Sequence, residues 1–136
     1  MADSINSVLR LDNLFFDKIV FNRLGPSSEA EVKFSMRSNI MKSQNEEVYK
    51  VTLSITGDKA NEYNFEISVS GIFSFVCESK DLDFKLKEAL ISKNTIAILM
   101  PYLRSEVSLL TAQPGMSCIV LPPFNVNNMV DNGKDN

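Results

Sequence analysis

The 136-residue chain has no histidine and no tryptophan, two cysteines, and five residues each of glycine and proline. The missing histidine has the widest consequence. Imidazole titrates nearest neutrality and is the commonest general base and proton shuttle. Without it a Ser/His/Asp or Cys/His nucleophile is ruled out within one subunit, as are mixed Cys/His zinc sites. Cys77 and Cys118 form no CxxC pair. They read as reduced, mostly buried thiols of a cytosolic protein; a redox pair would need Cα atoms within about 7 Å. Neither GxxxxGK[ST] nor GxGxxG occurs, so nothing calls for a phosphate cradle or a cofactor. Apolar runs are also short. The longest aliphatic stretch, Ile96 to Met100, falls far below the roughly 20 residues that cross a bilayer. The N-terminal residues lack the apolar core of a secretory signal and carry an acid at Asp3. A cytoplasmic protein with no membrane insertion is expected.

What remains is ordinary globular material. Apolar residues make up 44% and charged residues 23%, with a net charge of -3, which gives no basic footprint for nucleic acid. Carboxylate pairs occur at Glu46-Glu47 and Asp81-Asp83, both beside turns, where solvated charge is the simpler reading than acid–base work. Nothing points to an enzyme.

The patterning predicts an α+β domain spanning 1–136, ordered over about 8–130, with polar ends. Over residues 9–70 it predicts a four-stranded, meander-like antiparallel sheet. Val32, Phe34 and Met36 alternate with Lys33, Ser35 and Arg37; Tyr49, Val51, Leu53 and Ile55 alternate with Lys50, Thr52, Ser54 and Thr56. Tyr63, Phe65, Ile67 and Val69 repeat the pattern, and polar turns separate the runs. The first strand is less regular, because Leu9, Leu11, Phe15, Ile19 and Phe21 share it with Leu14, Phe16 and Val20. Either both faces are covered, in a central strand or at an edge that pairs with another subunit, or a bulge shifts its phase.

Gly71 should end the alternation. Leu82, Leu86 and Leu90 suggest a short helix. A longer one follows, with Asn94 as its cap and a stripe of Ile96, Leu99, Leu103, Val107 and Leu110. Pro101 inside it predicts a kink or a restart, and Pro114-Gly115 a stop. Cys118 to Leu121 then run into Pro122-Pro123-Phe124, an extended segment that cannot join a central strand. Ile72, Phe73, Phe75, Val120, Leu121 and Phe124 either close the core over the sheet's end or line a groove for extended peptides. Met100, Met116 and Met129 suit promiscuous contact and core fill equally.

In order along the chain stand LDNLFFDKIVF, SGIFSF at Ser70–Phe75, MPYLRSEVSLL at Met100–Leu110, QPGM at Gln113–Met116 and LPPFNVNNM at Leu121–Met129. This ordered set, over about Leu9 to Met129, resembles the SecB family of export chaperones. The resemblance implies an ATP-independent holdase that binds unfolded or precursor polypeptides in apolar grooves and delivers them to the SecA export motor. It implies a homotetramer, a dimer of dimers, with the first strand and long helix at subunit contacts. It places the client groove at Ile72, Phe73 and Phe75 on one side and Val120, Leu121 and Phe124 on the other. Polar changes at Phe73 and Leu121 should then weaken client binding with the fold intact. Glu66 matches one acid of the motor-docking sheet face. Other docking positions carry Lys18, Asn22 and Asn64, and little chain follows Met129 for the family's last helix, a lid over the groove. The alternative is a SecB-like chaperone or adaptor dedicated to one partner, such as an antitoxin, without motor docking.

Overall fold

A computed structural model describes residues 9–75 and 84–122. It contains four strands, β1 (Leu9–Arg23), β2 (Val32–Lys42), β3 (Val48–Lys59) and β4 (Tyr63–Phe75). Helix α1 (Phe84–Ala89) passes through one π turn, Leu90–Asn94, into α2 (Thr95–Thr111). All pairing is antiparallel, in the order β1-β4-β3-β2. The alternating runs thus form the expected meander β2-β3-β4, and β1 lies beyond β4 at one edge.

The irregular first strand is explained by two register shifts against β4, between Leu11 and Asn13 and between Phe16 and Lys18. Each shift adds one residue to β1. Leu9 and Leu11, then Leu14 and Phe16, then Ile19 and Phe21 therefore all pair with the odd-numbered residues of β4, on one face. Spacings of two and three alternate, which no single period describes.

That face carries the core. Val51, Leu53 and Ile55 of β3 and Ile67, Val69 and Phe73 of β4 are fully buried beneath Ile96, Leu99, Leu103 and Val107 of α2. Burying each such side chain contributes about 1.5–3 kcal/mol, enough to dock α2 across β3 and β4. The predicted helical stripe is this contact. β4 does not end at Gly71 but continues to Phe75. A side chain at Gly71 would sit 2.6 Å from the Phe73 ring and 3.0 Å from Leu99, so glycine lets ring and helix close over the strand.

Two expectations for the helices need correction. Asn94 does not cap α2: its backbone is helical, it makes no capping bond, and the chain is already coiled on its N-terminal side. The short and long helices are joined rather than separate. At Pro101 the helix does not restart, since α2 runs unbroken from Thr95 to Thr111. Pro101 and Ala97, whose carbonyl loses its partner, are both exposed, so water can satisfy that oxygen. The irregular turn lies earlier, where the Thr95 hydroxyl donates to the Ile91 carbonyl. The predicted stop is sharp. Met116 N–H donates to Gln113 O at 3.1 Å around Pro114-Gly115, with Gly115 at φ 78°, a type II turn.

One structural acid was not anticipated. Glu62, 2% exposed, closes the end of the sheet. Its carboxylate receives Lys59 Nζ at 2.9 Å and Ser28 N–H at 2.8 Å, and its carbonyl accepts Leu24 N–H and Gly25 N–H. The Lys59 contact first, then the Ser28 N–H, hold its pKa below the ordinary glutamate value.

Candidate functional site

The segment after the Pro114-Gly115 turn runs back along α2 as an extended strap. Its residues Cys118–Leu121 have no strand partner, and the helix side chains supply their backbone bonds. Thr111 Oγ1 accepts Ile119 N–H at 2.8 Å and passes its own proton to Val107 O at 2.8 Å. Ser108 Oγ donates to Ile119 O at 2.8 Å, and Arg104 Nη2 donates to Leu121 O at 3.0 Å. Arg104, Ser108 and Thr111 fall at i, i+4 and i+7, a polar stripe beside the apolar one. Extended geometry then sends alternate side chains opposite ways. Leu121 points into the core and Val120, 75% exposed, points out.

Between strap and helix lies an open cleft of about 570 Å³, lined by Pro101, Arg104, Ser105, Ser108, Leu109, Val120 and Leu121. Leu109, 69% exposed, and Val120 give it an apolar rim, and Arg104, Ser105 and Ser108 supply its polar lining. Of the six residues expected to form a groove, Val120 and Leu121 line this cleft. Phe73 is fully buried in the same core as Leu121. Side chains enclosed this completely do not tolerate polar replacement with the fold intact, so that expectation is corrected for both. Phe75 is half-buried, its ring edge-on to Tyr49 at 5.9 Å with Lys87 Nζ 5.6 Å from its centre. Ile72 is half-buried on the opposite sheet face, across from Asn13 and Lys50. Phe124, Cys77, Met129, Asp81, Leu82 and the two chain ends lie outside the described residues. Sequence reasoning missed Arg104, Ser105, Ser108 and Leu109. Their one signal was the hydroxyl-rich i, i+4, i+7 row, which resembles ordinary solvated helix surface.

The sheet face away from α2 is polar. Ser70 donates to Asp17, so Thr52 must be the donor in its 2.7 Å bond to Ser70; the Ser54 and Ser68 hydroxyls are hydrogen-bonded at 2.8 Å. Lys50 Nζ lies 3.9 Å from Asp17. Glu66, the expected docking acid, forms an ion pair with Lys18 at 3.0 Å, and beside it Asn22 Nδ2 donates to Asn64 Oδ1 at 2.9 Å. The four positions singled out by the resemblance are thus neighbours, engaged with one another as two cross-strand pairs. No group of three or more potential metal ligands occurs among the described residues.

The family model for "preprotein translocase subunit SecB" matches residues 11–135, nearly the whole chain. The chain belongs to the SecB family. Its fold is similar to that of a SecB-like chaperone of Mycobacterium tuberculosis, solved in complex with a ChAD peptide from the HigA1 antitoxin. That likeness has a TM-score of 0.72, with 9% identity over 90% of this chain and 92% of that one. An uncharacterised protein of Methanocaldococcus jannaschii is 35% identical over 66 residues, 48% of this chain. The match spans 40% of that relative's length. In SecB terms, the cleft lies between the long helix and the segment that follows it. The Lys18–Glu66 pair lies on the sheet face turned away from that helix.

Proposed function

We propose that this SecB-family chain is an ATP-independent holdase that binds extended, unfolded polypeptide in the cleft between α2 and the strap. The carrying observation is the cleft itself. It is open, it is rimmed by exposed Leu109 and Val120, and it runs beside an extended backbone already held by helix side chains. Apolar surface of this kind is costly to leave in water and marks binding sites. The SecB-like relative of the same fold holds a peptide, which supports a polypeptide client. Of the six residues singled out by the resemblance, Val120 and Leu121 enter the proposal as cleft residues, and Phe73 supports Leu121 through the core they share. Assembly as a dimer of dimers in the cytoplasm belongs to the same reading, supported by the long β1 edge with its exposed Phe15 and Ile19. The test is aggregation of a chemically unfolded client without nucleotide. The protein should slow it at stoichiometric ratios, and no effect at excess would refute the proposal.

A second reading concerns delivery. Glu66 is neutralised by Lys18, and the other docking positions are a bonded asparagine pair. This favours a chaperone dedicated to a partner such as an antitoxin over one that docks SecA. Co-sedimentation with SecA decides it: no complex is expected from the wild type, and a stable one would restore the export role.

A further inference from the structure

Resting on that reading, we infer that Arg104, Ser108 and Thr111 are positioning residues for client binding. They hold the strap by its backbone, so that Val120 stands over the cleft. The two hydroxyls meet both polar groups of a single residue, the N–H and the carbonyl of Ile119, as a neighbouring strand would. Two residues on, Arg104 takes the next carbonyl that faces the helix, that of Leu121. Bonds to residues 119 and 121, together with the buried Leu121 side chain, fix the rotation of the segment about its own axis. The Cys118 thiol adds a weak bond to Ser108 O at 3.4 Å. Arg104 Nε is enclosed without a partner among the described residues, so the guanidinium is oriented through its outer nitrogen. Released from these bonds, Val120 would turn or withdraw and the cleft would lose its outer wall.

The test uses the full chain, a fluorescent, permanently unfolded polypeptide as the probe, and amide hydrogen exchange at Ile119. Ser108→Ala and Thr111→Val should each weaken probe binding by about fivefold and speed Ile119 exchange by about tenfold. Thr111→Ser, which keeps the hydroxyl, should restore both. Val120→Ser should weaken binding while Ile119 stays protected, which separates the wall from the groups that place it. Should Thr111→Val fail to fold, Ser108→Ala, at a half-buried position, carries the same comparison. Faster Ile119 exchange with unchanged affinity overturns the inference and leaves the holdase reading standing. Unchanged exchange in both hydroxyl-loss variants overturns it too. A wild type that binds no probe refutes the holdase reading, and the inference falls with it.

Discussion

Phe73 and Gly71 form one packing unit, and a double-mutant cycle across them tests the core directly. Phe73 is fully buried, so Phe73→Ala should cost about 3–5 kcal/mol, toward the upper end because its neighbour Gly71 has no side chain to collapse into the void. Gly71→Ala pits two effects against each other. Adding a methyl in a strand interior should stabilise by about 0.5–1 kcal/mol. That methyl would lie 2.6 Å from Phe73 Cε2 and 3.0 Å from Leu99 Cδ2, overpacking that costs about 1–3 kcal/mol. The clash should win, leaving a net loss of about 1 kcal/mol. With Phe73 already alanine the ring is gone, and the same methyl should become neutral or stabilising. The expected coupling is about 1–2 kcal/mol. Urea unfolding followed by far-UV circular dichroism, at one fixed protein concentration, reads all four corners. At a slope of about 2 kcal/mol/M, Phe73→Ala should lower the midpoint by about 2 M. If Gly71→Ala costs the same with and without the ring, the contact is not there and the packing argument fails. Any loss of client binding in Phe73→Ala should track its unfolding, whereas Val120→Ser should lose binding at full stability.

Glu62 has a lowered pKa, so its contribution is fully present above the unfolded-state value near 4.3 and is lost as pH falls through the folded value. Glu62→Gln should therefore flatten the acid limb of the stability–pH curve, and an unchanged limb would refute the role given to this carboxylate. Tyr49 is pushed up to about 12, by burial first and by its bond to Glu47 second. The difference in ultraviolet phenolate titration between wild type and Tyr49→Phe should show a late group near that pH, and a midpoint at about 10 would contradict it. Gly115→Ala forces a side chain into the left-handed region and should cost about 1–2 kcal/mol of stability, although nothing crowds the site; an unchanged urea midpoint would argue against the type II turn.

The β-meander and the buried helix stripe were legible because each has one period and one covered face. The first strand defeated that approach for a physical reason. Its two bulges each reset the alternation, so Leu11 and Leu14, or Phe16 and Ile19, share a face at a spacing that no strand template contains. Pro101 fits inside the helix because the side that loses the bond is wet. Phe73 and Leu121 looked like surface because glycine and proline flank them. In fact Gly71 serves to admit the Phe73 ring, and extended geometry turns Leu121 inward while Val120 turns out. The cleft's polar lining left only an ambiguous signal, the row at Arg104, Ser108 and Thr111. Nothing in a sequence separates hydroxyls that hold a strap from hydroxyls that face solvent.

The two stripes of α2 divide the labour of the fold. Ile96, Leu99, Leu103 and Val107 bind a specific sheet, and they do so through shape, which tolerates little change. Arg104, Ser108 and Thr111 bind a backbone, and backbone amides and carbonyls are the same for nearly every residue. For a holdase this distinction matters. In the proposed site the backbone-held strap presents Val120 beside Leu109, an apolar rim suited to a hydrophobic side chain of an extended client. The polar sheet face works the other way. There Lys18 meets Glu66 and Asn22 meets Asn64, so charge and hydrogen-bonding capacity are spent within the subunit. The proposed client cleft and the paired docking positions thus lie on opposite sides of the sheet, the cleft on the side that α2 covers. Altering Lys18 should change partner choice without touching the cleft.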